Sequence, residues 1–99
     1  MIDVMRIGGV TGWCEAAGLL AGHNIPVSSH LFPEVSAHLL AASTSAHLLE
    51  YLDVAWPILA QAVHVENGTV TARDQPGIGI EWNEPVVQDL LLETLEWFG

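Results

Sequence analysis

The sequence predicts an α/β fold built on parallel strands, and more narrowly one section of a larger barrel. Apolar strand-like runs alternate with helical periods at about 20–27 residues per unit, the rhythm of strand–helix–strand units. Asp3, His30 and Glu50 each stand at or near the C-terminal end of such a run, the face on which parallel barrels assemble their chemistry. Three parallel strands with two helices cannot close a barrel, which takes eight strands and about 200–250 residues, and the chain has 99. A parallel sheet needs cover on both faces, and open strand edges invite pairing with other chains. The chain therefore reads as the last part of a barrel with a return segment, expected to be marginally stable or to associate when alone.

The first run, residues 2–5, is apolar apart from Asp3 and is closed by Gly8-Gly9. A helical period follows, with Val10, Trp13, Cys14, Ala17, Leu20 and Ala21 on one face. Gly22 and Asn24 are stop residues and Pro26 forbids continuation. Residues 25–30 form a second strand-like run. Pro33-Glu34 opens a second helix, since Pro fits the first turn and Glu suits the positive end of the helix dipole. Val35, Leu39 and Ala42 lie on its apolar face, and Ser43-Thr44-Ser45 ends it. Residues 46–50 read as a third strand.

The second half changes character. Pro57 interrupts any long helix between residues 51 and 61. Residues 63–66 and 69–72 alternate around Asn67-Gly68, a strong two-residue hairpin signal. Residues 76–82 form a loop leading to an extended piece. Asn83 is placed to cap a last helix whose apolar face is Val87, Leu90, Leu91, Leu95 and Phe98. The acids Glu81, Glu84, Asp89, Glu93 and Glu96 read as a solvated face.

Composition removes several classes of function. Two Lys+Arg stand against twelve Asp+Glu, a formal net charge of -10. Nucleic acid is excluded as a partner, because phosphate binding needs clustered Lys and Arg, and so is a polybasic membrane-surface role. With 51% hydrophobic residues the chain is not disordered by composition. No stretch reaches the roughly 20 apolar residues of a membrane span. No basic region followed by an apolar one marks a signal peptide, so a cytoplasmic location is expected. The single Cys14 excludes an internal disulfide framework and reads as helix packing. Asn67-Gly68-Thr69 matches a glycosylation sequon but reads as a turn. His23, His38, His47 and His64 lack metal-ligand spacing, and Gly77-Ile78-Gly79 lacks the third glycine and following helix of a nucleotide loop.

The chemistry-bearing residues are Asp3, His30 and Glu50, 27 and 20 residues apart. Set on consecutive strand ends, they would face one pocket. Their surroundings are Asp3-Val4-Met5-Arg6-Ile7-Gly8-Gly9-Val10-Thr11-Gly12-Trp13, then Ser28-Ser29-His30-Leu31-Phe32-Pro33-Glu34-Val35-Ser36-Ala37-His38-Leu39-Leu40, then His47-Leu48-Leu49-Glu50-Tyr51-Leu52-Asp53. In order and spacing these motifs resemble the mandelate racemase family of the enolase superfamily, from about Asp3 to Trp82 and most densely to Asp53. The likeness leans to the racemases rather than to the acid-sugar dehydratases of the same subgroup, and it fades after Asn83.

The resemblance implies a (β/α)7β TIM-like barrel with a separate α+β capping domain. It makes the chain the last three barrel strands (residues 1–54) and a return segment with hairpin and helix (residues 55–99). It implies abstraction of the proton α to the carboxylate of a small 2-hydroxy acid, with Mg²⁺ stabilising the enediolate. By the motif match His30 is the base, Asp3 orients it and favours its protonated form, and Glu50 is the acid that hydrogen-bonds the substrate carboxylate. Leu31 and Leu52 would line an apolar side of the pocket, favouring an aromatic or apolar acid over a sugar acid. The roles suit the residue types. Histidine is the side chain nearest neutral pKa, a carboxylate behind it fixes its tautomer, and a buried glutamic acid can donate to a developing oxyanion.

The sequence also departs from the family. Its metal ligands are acids on three earlier strands and its second base lies in a Lys-x-Lys motif; the only basic residues here are Arg6 and Arg73. The expectation is thus the last quarter to third of a Mg²⁺-dependent racemase, inactive by itself, with homo-oligomerisation open. The competing readings are a non-catalytic barrel fragment that associates with itself or a partner, and part of an acid-sugar dehydratase. An in-frame Lys-x-Lys and three strand-end acids upstream of Met1 would restore the enzyme, whereas a stop or an unrelated gene would favour the fragment.

Overall fold

The structure, a computed structural model, describes residues 1–96. Its first half is an α/β unit: β1 (Ile2–Asp3), α1 (Gly9–Gly22), β2 (Ser29–His30) and α2 (Pro33–Ala41). β1 and β2 pair in parallel, with Ile2 opposite Ser29 and Asp3 opposite His30. β1 is short because Asp3 ends it: the Asp3 Oδ1 accepts the backbone N–H groups of Met5 (2.9 Å) and Arg6 (3.1 Å), a local turn that competes with the ladder.

The third expected strand is only partly realised. Residues 46–50 make one parallel bridge, Val27 with Ala46, and beyond it a single main-chain bond to β2, from Ser29 N–H to Leu48 O. The reason lies in two hydroxyls: the N–H groups of Leu48 and Glu50 turn to Ser28 Oγ (3.4 Å) and Ser29 Oγ (3.0 Å). A side-chain acceptor stands where a ladder would use a carbonyl.

The core gathers Ile2, Val4, Trp13, Ala17, Val27, Leu39 and Leu40, with Ala16, Leu20, Val35 and Leu49 packed against it. Trp13 is its largest fully buried side chain, and its indole N–H donates to Ser43 Oγ at 3.1 Å, tying α1 to the end of α2. The buried stripe of α1 differs from the one read in the sequence. Val10 and Cys14 are exposed, and Ala16 takes their place beside Trp13, Ala17 and Leu20. A sheet this narrow covers only one seam of the helix. Gly12 sits where a Cβ would come 1.8 Å from the Ile7 carbonyl oxygen, so only glycine permits this approach of α1 to the turn behind Asp3. On α2 the buried residues are Pro33, Ser36, Ala37, Leu39 and Leu40; Val35 is half-buried and Ala42 exposed.

The second half carries the expected hairpin, β3 (Val65–Glu66) against β4 (Thr69–Val70), antiparallel. Asn67 and Gly68 both have positive φ (51° and 74°), as a type I′ turn requires. A 3₁₀ turn at Trp56–Ile58 includes Pro57, and Leu59 bridges Trp82. Arg73 stitches this half together, its guanidinium donating to the carbonyls of Gln61, Ala62 and Gly79.

The last helix is shorter than its apolar period suggests. α3 spans Glu84–Asp89, buries none of its residues, and Asn83 stands at its N-cap without a side-chain hydrogen bond. Leu90, Leu91 and Leu95 follow it exposed, and Phe98 lies outside the described residues. So short a helix is marginal without a packed face. The acids Glu81, Glu84, Asp89, Glu93 and Glu96 are exposed, as expected. No helix among the described residues is long and apolar enough to cross a membrane.

The Trp13 anchor separates packing from hydrogen bonding. Trp13→Phe keeps a ring and removes the N–H, and should cost about 1 kcal/mol; Trp13→Ala should cost about 3–5 kcal/mol. Urea unfolding followed by circular dichroism measures both, and equal losses would contradict this division.

Candidate active site

Parallel pairing sets Asp3 and His30 side by side on one face of the sheet. The His30 Nδ1 lies 3.0 Å from Asp3 Oδ2. Oδ2 belongs to an ionised acceptor, so Nδ1–H donates and the neutral ring keeps its lone pair on Nε2. Asp3 is 11% exposed at its side chain and His30 37%. The hydrogen bond from His30, aided by the Arg6 and Met5 amides, holds the Asp3 carboxyl below the usual carboxylate range against the opposing effect of burial. Arg6 lies 3.6 Å from Asp3 Oδ2 with its own side chain largely in solvent, an exposed pair of small energetic weight.

Glu50 completes the cluster. Its Oε2 is 3.9 Å from His30 Nε2, beyond hydrogen-bond range, and accepts the Leu31 N–H at 2.8 Å. That amide is aimed by unusual backbone: Leu31 (φ 58°) and Phe32 (φ 48°) are both left-handed, costly for residues with side chains. The turn is held by Ser36, whose buried hydroxyl donates to the Leu31 carbonyl at 2.9 Å and whose N–H donates to Phe32 O at 2.8 Å. Sequence reading singled out Asp3, His30 and Glu50, and the fold brings all three together. Leu31 contributes its backbone amide to them. Leu52 is exposed and its carbonyl accepts the Val54 N–H. The supporting roles of Ser29 and Ser36 were missed; the signal for them is a hydroxyl within a buried run, which must find a partner.

These side chains do not fit a magnesium ion. Mg²⁺ takes free oxygen ligands in octahedral array, whereas Asp3 Oδ1 already holds two amides, Oδ2 holds His30, and Glu50 Oε2 holds Leu31. Among the described residues no group of three or more His, Cys, Asp or Glu side chains could hold a metal ion. His38 Nε2 lies 3.2 Å from the Ile78 carbonyl and His47 Nδ1 lies 3.4 Å from Ser28 Oγ.

The arrangement is thus a histidine with one nitrogen fixed by a carboxylate and the other beside a second carboxyl, at the C-terminal ends of parallel strands. This defines an α/β domain able to move a proton at His30 Nε2. Residues 1–86 match the enolase C-terminal domain-like family, and the chain belongs to it. A solved enolase structure from Bradyrhizobium, complexed with magnesium and mandelic acid, is 47% identical with TM-score 0.86 over 90% of this chain and 24% of its own. An enolase from the alpha proteobacterium bal199, with bound magnesium, is 45% identical with TM-score 0.84 over 88% of this chain and 24% of its own. The L-talarate/galactarate dehydratase of Salmonella typhimurium is 27% identical over 82 residues, 83% of this chain and 21% of that protein. The chain therefore spans about a quarter or less of the relatives it matches.

The Asp3–His30 pair makes acid stability testable. The folded Asp3 carboxyl binds its proton at lower pH than the unfolded one, near 3.9. The unfolded chain thus holds more protons between the two values, and stability rises with pH there. The pair's contribution is complete above the unfolded value and lost as pH falls through the folded one. Asp3→Asn is expected to flatten this acid limb, measured as urea midpoints at descending pH. An Asn variant whose limb parallels that of the parent would show that Asp3 is not held this way.

Proposed function

We propose that the chain is the C-terminal part of a Mg²⁺-dependent enzyme that abstracts the proton α to the carboxylate of a small 2-hydroxy acid, and that this enzyme is a racemase. The observation that carries the reading is the 3.0 Å His30–Asp3 bond, which leaves Nε2 as the free basic nitrogen beside the Glu50 carboxyl. In this reading residues 1–54 supply the last barrel strands and residues 55–99 return toward a capping domain. The Bradyrhizobium relative's complex with mandelic acid supports a 2-hydroxy acid as the substrate class.

His30 Nε2 takes the α-proton, and the electron pair of the broken C–H bond passes into the carboxylate. Asp3 keeps the ring oriented and stabilises the imidazolium that forms. Glu50 Oε2 is engaged by Leu31 N–H, so Oε1 is the atom that carries an acidic proton toward the substrate carboxylate as charge develops there. Leu31 and Leu52 are assigned to the apolar side of the pocket. Delivery of a proton from a protonated second base on the opposite face, outside this chain, inverts the centre.

An acid-sugar dehydratase is the second reading, favoured by the 27% identity to the talarate/galactarate dehydratase. Both start with the same proton abstraction. They part at the product, an enantiomer in one case and a keto acid with loss of water in the other.

In the full-length protein, His30→Asn should abolish α-proton exchange from the enantiomer that His30 serves and leave exchange from the other. Asp3→Asn should show a milder form of the same asymmetry, and Glu50→Gln should slow both directions alike, by about 10²–10³ if it acts as an oxyanion donor. Deuterium incorporation from each separate enantiomer in heavy water measures this. Equal loss from both enantiomers in His30→Asn, with the fold intact, would refute the one-sided base.

A further inference from the structure

The main-chain bonds along β2 contain a slip of one residue. Val27 N–H donates to Ser45 O at 2.8 Å and His47 N–H donates to Val27 O at 2.7 Å, the two bonds of a regular parallel bridge. Two residues on, a regular ladder would take Ser29 N–H to His47 O. It goes to Leu48 O instead, at 2.9 Å. One extra residue stands on the 46–50 side, a β-bulge.

The slip decides which side chain meets His30. Side chains alternate between faces of a strand, so a one-residue shift exchanges the two sets. In the unslipped register Leu49 would lie opposite His30 and Glu50 would face the other way. In the slipped register Glu50 lies opposite His30, with its carboxyl 3.9 Å from Nε2. Beyond the slip the ladder is closed by a side chain: Glu50 N–H donates to Ser29 Oγ at 3.0 Å, and Ser29 is fully buried. No water competes for a hydroxyl so enclosed, and any replacement that lacks an acceptor leaves the half-buried Glu50 N–H without this partner.

We infer that Ser29 is a positioning residue, whose hydroxyl holds the bulge that turns Glu50 toward His30 and the Leu31 amide. The functional weight of this rests on the proposed role of Glu50, but the test reads geometry and not turnover. The Leu31 N–H bonded to Glu50 Oε2 is the reporter. In ¹⁵N-labelled chain its amide shift should follow the acid titration of Glu50, an assignment fixed by its loss in Glu50→Gln.

In Ser29→Ala that titration should vanish from the Leu31 amide, and the Glu50 and Leu31 amides should exchange with solvent roughly tenfold faster, as expected for one lost hydrogen bond. Ile2 N–H, bonded to Ser28 O on the β1 side, should keep its protection, which a general loosening would not allow. Ser29→Thr retains the hydroxyl and should restore both signals. If Ser29→Ala does not fold, Thr and Cys decide: titration kept in Thr and lost in Cys supports the role. Full titration in Ser29→Ala, or equal behaviour of Thr and Cys, overturns it. A Glu50 without a part in turnover would leave every one of these signals as described, so the two readings fail separately.

Discussion

Two short strands that begin 27 residues apart lie in parallel register, Asp3 opposite His30, and the site depends on that pairing. A helix and two turns separate the strands, so the contact is held from beneath. Trp13 and Ala17 of α1 pack with Ile2, Val4 and Val27 and with Leu39 and Leu40 of α2. Moving β2 by one residue would replace His30 by Ser29 or Leu31 and leave Asp3 opposite a hydroxyl or an apolar side chain. The burial of Ile2, Val27 and Ser29 on the same short segments makes such a move costly.

Around this pair the backbone departs from regular structure at two points, both next to the functional groups. Leu31 and Phe32 hold left-handed conformations, and the 46–50 segment carries the bulge. Each is compensated by a buried serine: Ser36 caps the strained turn through the Leu31 carbonyl, and Ser29 closes the slipped ladder through the Glu50 amide. Strained or irregular backbone persists where its surroundings over-determine it. Here it directs the Leu31 amide to the Glu50 carboxyl and sets that carboxyl beside the imidazole.

Much of this was legible in the residues. Helix ends follow from Gly22, Pro26 and Pro33, the hairpin from Asn67-Gly68, and the positions of Asp3 and His30 at strand ends from the runs that carry them. The register slip was not legible, because Ala46-His47-Leu48-Leu49-Glu50 carries no strict apolar–polar alternation that reveals which residue faces which side. The face of α1 was misread at Val10 and Cys14 for a related reason: periodicity gives a helix stripe, and the width of the neighbouring sheet decides how much of it is covered. The leucines after α3 carry a helical period, but a pattern forms a helix only where a surface receives it. The family likeness carried the roles further than spacing could, since three polar strand ends are compatible with several chemistries.

The central claim is that Asp3 fixes His30 with its basic nitrogen at Nε2. Nitrogen-15 chemical shifts of the neutral His30 ring test it most directly. The account predicts a protonated, pyrrole-like Nδ1 and a bare, pyridine-like Nε2, with the Nδ1 signal reverting in Asp3→Asn. A neutral ring protonated at Nε2 in the parent chain would contradict it.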